Sequence, residues 1–470
     1  MERLLPEQRR HSDFSFDFRR TWPLWAYSLC IVALSFKQFR GDGMAGPIEW
    51  VVATVALIVI MDGLRRRELH KNPYIWGGSI LLALLSLGGF WALIVDPARL
   101  GLRDTASYLF SFLVVMAFLN LARGREVVAL AVLAVTIATY LIFAALVALI
   151  PNPFTPLMWH FIASSNEQLM WHASSRLQGF SDNPNQIAFL AVSGLGLLAY
   201  VENRAALSRK VIIPLAIGCV VVGAMTHSDS FFLALLTLMV VFFAIHIVEF
   251  VGGGRNGEKK IWKGNRPHTI TCIFLLAFAG VLFVLLEGGE ERLVSLDTES
   301  SGEEVAVDEK VSPGEKPREL NELVDRELRR VMAADAHQGT VRIELWKRAV
   351  SLGMKSPLVG YGPGYKLAPG EPNAIQEAHN TVLDLLLISG IVGLGGLLAL
   401  VLLAIRGGLK NGHLAILIVM GTGVSVFAMF HYVGRQPVFW IIVFAIIYAA
   451  SLDRVLKWRP GFLAPNRGAT

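Results

Sequence analysis

In the stretch QEAHNTVLDLLLISG, residues 376–390, His379 and Asn380 stand immediately before a long apolar run. An imidazole with an ordinary pKa of about 6.5 can take a proton from a hydroxyl near neutral pH. A histidine there reads either as a general base or as an interfacial side chain reaching lipid headgroups. Arg176 precedes the turn-rich segment GFSDNPN. Asn183-Pro184-Asn185 supplies turn and cap chemistry for a following helix, and a helix N-terminus beside an arginine attracts an anion. The alternative for Arg176 is a surface anchor or an ion pair with Asp182. Arg342 sits in TVRIELWKRAVSLGM with Trp346 one turn later on the same face. A solvated charge on an amphipathic helix is its default reading.

The remaining chemistry-bearing residues carry less. Lys347 and Arg348 read as solvated. GYGPGYK is glycine-rich but fits neither the P-loop nor the dinucleotide pattern. His160, His172 and His227 lack metal-ligand spacing, and no metal site is expected. Asp229 in the THSDS turn is either functional or a cap, and His246 on an apolar helix reads as packing. Thr381 and Asp384 fit the capping pattern [ST]-x-x-[DE], so Thr381 is expected to cap the helix that follows and Asp384 to occupy its first turn.

These residues must be positioned by membrane helices. The 470 residues are 54% hydrophobic and only 17% charged, with a mean hydropathy of +0.52. A soluble chain carries roughly a quarter charged residues. Apolar runs long enough to cross a bilayer recur. We read an all-α polytopic membrane protein with about 12 spans: 22–39, 48–64, 73–95, 105–121, 127–150, 186–201, 211–226, 230–250, 270–287, 382–405, 414–430 and 438–452. No cleavable signal peptide is expected in residues 1–21, and Cys30, Cys219 and Cys272 fall in apolar runs as small buried hydrophobes.

The net charge of +6 is read loop by loop and does not point to nucleic acid. Arg65-Arg66-Arg67, Arg123 and Arg125, Arg209-Lys210 and the GGGRNGEKKIWKGNR loop alternate with segments poor in cations. The positive-inside rule then puts both ends in the cytoplasm. The division is a cytoplasmic tail over 1–21, spans one to nine over 22–287, a large loop over 288–381, spans ten to twelve over 382–452, and a cytoplasmic tail over 453–470. The first half of the loop is acidic and aromatic-poor. Its second half is expected to be partly helical, with one helix over RELNELVDRELRRVM and another over TVRIELWKRAVSLGM. The loop and residues 151–185 both face away from the cytoplasm in this reading. No internal repeat is visible, unlike many transporters.

The segments RLQGFSDNPNQIAFLA, RIELWKRAVSLGMKSPLVGYGPG and HNTVLDLLLISGIVGLGG, in that order on this topology, resemble the O-antigen ligase and polymerase superfamily of bacterial envelope enzymes. The resemblance covers about residues 170–405. It implies an inner-membrane, multi-pass transferase whose large loop is periplasmic. The enzyme would move a glycan from undecaprenyl diphosphate to a lipid or glycan acceptor, or sometimes to a protein hydroxyl, with no metal, nucleotide sugar or other cofactor. It implies a catalytic role for His379 and diphosphate binding by Arg176 and Arg342. Asn380, Asn185, Trp346 and Asp182 stand as supporting residues. One departure is Ser228-Asp229, where relatives often have Ser-Arg.

The residue chemistry is compatible with that reading. A diphosphate leaving group gains charge as its bond breaks, and planar guanidiniums pair with its oxygens bidentately. Attack by a hydroxyl opposite the diphosphate inverts the anomeric centre. Ligase-type transfer is the first expectation and an O-antigen or exopolysaccharide polymerase the second. A glycolipid transporter without chemistry is the different-class alternative.

Overall fold

The computed structural model describes residues 18–35, 46–69, 73–97, 102–149, 171–172, 176–181, 183–204, 206–256, 342–368, 377–411, 414–431, 433–434 and 436–451. The first helices are α1 (Phe18–Ala33), α2 (Pro47–Arg65), α3 (Pro73–Val95), α4 (Leu102–Ala122) and α5 (Glu126–Leu149). Two-residue strands β1 (Trp171–His172) and β2 (Arg176–Leu177) pair antiparallel, a small departure from an all-α chain. Then come α6 (Pro184–Asn203), α7 (Arg209–Met225), α8 (Asp229–Asn256) and α9 over residues 342–353. The chain continues through α10 (Thr381–Asn411), α11 (Leu414–Phe430) and α12 (Pro437–Ser451). The expected span 270–287, the helix expected over RELNELVDRELRRVM, Asp182 and His160 lie outside the described residues.

Six helices among the described residues (α2 to α6 and α10) are long and apolar enough to cross a membrane. Shorter apolar stretches lie in α1, α8, α11 and α12. Their outward faces are greasy: Phe90 is 67% exposed and Ile94 78%. Apolar surface on this scale belongs against lipid. Trp22, Trp50, Trp76 and Trp91 are exposed near helix ends, where an aromatic belt meets headgroups.

At the centre stands α6, buried along most of its length and packed against α5, α7 and α11. On the other side, α10 packs on α3, α11 and α12, and α12 on α4. Local chemistry starts α6 as the sequence suggests. The Asn183 side chain accepts a hydrogen bond from the Asn185 amide at 2.9 Å, and Pro184 takes the first helical position. The stretch 211–250 divides into α7 and α8, and His227 in the turn between them has a φ of 45°.

The start of α10 differs from the expectation. Asn380, not Thr381, is the cap: its Oδ1 accepts from the amides of Val382 at 3.0 Å and Leu383 at 3.1 Å. The Thr381 hydroxyl instead donates to the His431 carbonyl at 2.7 Å and accepts from the Val433 amide at 3.1 Å. It ties the start of α10 to the end of α11. Asp384 does lie in the first turn.

Further along, α10 is broken at Gly390, where φ is 60° and ψ is −164°. A break inside an apolar helix leaves backbone groups that need partners, and the loop after α9 supplies them. The amides of Tyr361 and Gly362 donate to the carbonyls of Leu387 at 2.6 Å and Ile388 at 2.8 Å. The amides of Ile391 and Val392 donate to the carbonyls of Pro357 at 2.8 Å and Leu358 at 3.1 Å. The loop is thus stapled into the break, which fixes α9 relative to the first half of α10. A Cβ at Gly390 would collide with the Leu358 backbone, and its dihedrals are essentially reserved for glycine. Gly390→Ala is therefore expected to lower the melting temperature in detergent and the activity together. Gly395→Ala, where a Cβ would meet nothing within 4 Å, should change neither.

Candidate functional site

Of the expected site residues, the described ones, Arg176, Asn185, Arg342, Trp346, His379 and Asn380, cluster at one end of the bundle, where α6, α8 and α10 begin and α7 and α11 end. Arg176, on β2, donates from Nε to the Thr226 carbonyl at 3.0 Å and from a terminal nitrogen to Asn185 Oδ1 at 3.2 Å. Asn185 thereby orients the guanidinium. Burial works against the Arg176 cation and the Asp229 charge works for it. Asp229 therefore stands within electrostatic reach of Arg176. A guanidinium has five N–H donors, so the two hydrogen bonds above leave part of the fork for an anion.

Arg342 opens α9, and Trp346 follows one turn later. The Trp346 indole donates to the Ala378 carbonyl at 3.1 Å. This bond pins α9 to the residue immediately before His379. His379 itself has a φ of 51°, in the left-handed region. Burial and then the charge of Arg342 push the His379 pKa below its ordinary value. The lowered value keeps the imidazole neutral, and so able to accept a proton, at neutral pH.

The structure adds His431, which the sequence reading passed over. Its Nε2 lies 2.8 Å from the Ser230 hydroxyl, linking the end of α11 to the first turn of α8. Its ring packs tilted on Phe427 with centroids 4.7 Å apart. Burial, followed by the charges of Arg342, His379 and Arg176, pushes its pKa down to about 3. His431 thus feels all three expected site residues at once. The available signal was its place just after an apolar span, at the same end as His379.

Three helix N-termini meet here, those of α6, α8 and α10. Each carries the partial positive charge of a helix N-terminus. Two arginines, Arg176 and Arg342, stand at the same end. Beside it, Ile343, Trp346, Val350, Asn380, Leu383 and Met429 help line an open groove of about 750 Å³. The groove therefore runs from the neighbourhood of His379 along α9. Among the described residues, no three His, Cys, Asp or Glu side chains gather as a metal-holding group.

Residues 214–398 match the O-antigen ligase family. The matched region contains Arg342, Trp346, His379, Asn380 and the Ser228-Asp229 turn. Arg176 and His431 lie outside it and enter the site through the fold. No curated protein sequence matches the chain.

Proposed function

From a chain whose residues 214–398 match O-antigen ligases, we propose a glycan-transferring enzyme of envelope polysaccharide biosynthesis. It takes its glycan from a polyprenyl diphosphate such as undecaprenyl diphosphate and works at the periplasmic face of the inner membrane. The observation that carries this reading is the gathering of Arg176, Arg342 and His379 at an end of the bundle where three helices begin. Guanidiniums and helix N-termini suit the diphosphate, whose charge grows as its bond to the anomeric carbon breaks. His379 accepts the proton of the acceptor hydroxyl as that oxygen bonds to the anomeric carbon. The diphosphate leaves on its lipid from the opposite side, so configuration inverts. The step needs no metal in this scheme. The lipid tail stays in the bilayer while its charged head reaches the mouth of the bundle, which accounts for a base at the threshold of a membrane helix.

The glycan profile of a deletion strain tests the proposal. Ligase-type transfer predicts accumulation of lipid-linked polymer that is never attached to its acceptor. Accumulation of single repeat units would mark a polymerase instead. An unchanged profile, or repeat units held on the cytoplasmic side, would remove transfer altogether and favour a transporter.

A further inference from the structure

Asp384 is fully buried, and no cation partners it among the described residues. Burying a carboxylate without a cation is costly unless donors surround it. Capping does not explain its presence, because Asn380 already serves the first amides of α10. Its hydrogen bonds run backwards. Oδ1 accepts from the Ala378 amide at 2.9 Å, and Oδ2 accepts from the Asn380 amide at 3.3 Å. These two amides flank His379, the residue in the left-handed conformation. The Tyr365 hydroxyl donates to Oδ1 as well. Burial, and then the Asp384 charge, push the Tyr365 phenol well up, so it remains a donor. Tyr365 in turn belongs to the loop stapled into the break of α10.

We propose that Asp384, held by Tyr365, is a positioning residue that clamps the backbone on either side of His379 and so aims the imidazole at the acceptor. This rests on His379 being the base. Trp346 completes the clamp from the opposite side by binding the Ala378 carbonyl, which sets His379 at a fixed offset from Arg342. Non-glycine residues seldom hold a positive φ unless the surroundings enforce it, and here two side chains and a stapled loop do so. Asp384 has no part in the proton transfer. It acts through the backbone of its neighbour.

A double-mutant cycle on the full-length purified protein reads this out, with a radiolabelled polyprenyl-diphosphate glycan as probe. Misplacing a reacting group by about 1 Å costs on the order of 10²-fold. Asp384→Asn should therefore lower kcat by about that factor while donor binding stays within twofold, roughly. In the His379→Ala background the same change should have little effect, because there is no imidazole left to aim. Tyr365→Phe removes one hydroxyl and should show the same pattern more weakly, which covers the case of Asp384→Asn failing to fold. Equal losses in both backgrounds, or a loss of donor binding, would overturn the clamp while leaving the base in place. Undiminished transfer by His379→Ala would overturn both.

Discussion

His379→Ala lowers transfer by about 10²–10⁴-fold, the usual worth of a positioned general base, while the protein inserts normally and binds donor as before. Insertion survives because α10 does not depend on the imidazole: Asn380 caps it and Thr381 ties it to α11. Donor binding survives because the proposed scheme gives the diphosphate to Arg176, Arg342 and the helix N-termini. The pH dependence identifies the group. A base works only when unprotonated, so the wild-type rate falls as pH drops through the pKa of His379. Burial and Arg342 lower that pKa, so the step lies on the acid side of the ordinary histidine value of about 6.5. The residual rate of His379→Ala should lack the step. Rate against pH for both proteins, with donor binding measured on the same samples, checks this. Lost binding with a retained step would make His379 a phosphate ligand.

Removing either guanidinium should cost transfer about 10²–10³-fold, the scale of losing one preorganised donor to developing charge. Arg342→Ala is the cleaner experiment, since α9 is pinned by Trp346 rather than by Arg342. Arg342→Lys should recover only part of the rate, because an ammonium cannot reproduce bidentate pairing. Arg342 also depresses the His379 pKa. In Arg342→Gln the acid-side step should therefore move up in pH, towards the ordinary histidine value. Arg176→Ala removes hydrogen bonds to Thr226 and Asn185 too, so some loss of thermal stability should accompany its loss of transfer. Full activity in both alanine variants would return the two arginines to surface anchors.

The helices were legible because a membrane imposes a simple rule on sequence, and apolar runs bounded by cations or turn residues mark the elements directly. The nearness of Arg176 to the start of α6 was legible for a similar reason, Arg176 and Asn185 being nine residues apart around one turn. The cap of α10 was not. Thr381 fits the pattern, but its hydroxyl is taken by the His431 carbonyl, 50 residues away in the chain, and Asn380, which does not fit it, caps instead. His431 itself was missed because its partner Ser230 lies 201 residues earlier. Asp384 looked like first-turn decoration, since the amides it serves lie behind it and its tyrosine partner sits in a loop whose position depends on the Gly390 break. Glycine-rich runs announce close approaches without saying which glycine is used or by what.

The proposed transfer breaks a bond between glycan and diphosphate at this site, and the released product reports that step. Purified protein in a chelating buffer is given lipid-linked glycan and acceptor, and free polyprenyl diphosphate is counted against glycan transferred. One molecule should be released per transfer, undiminished by the chelator and nearly absent in His379→Ala. Lipid carried across a bilayer with its glycan still attached would remove transfer from this site, and release that stops when the chelator is added would rule out the metal-free step.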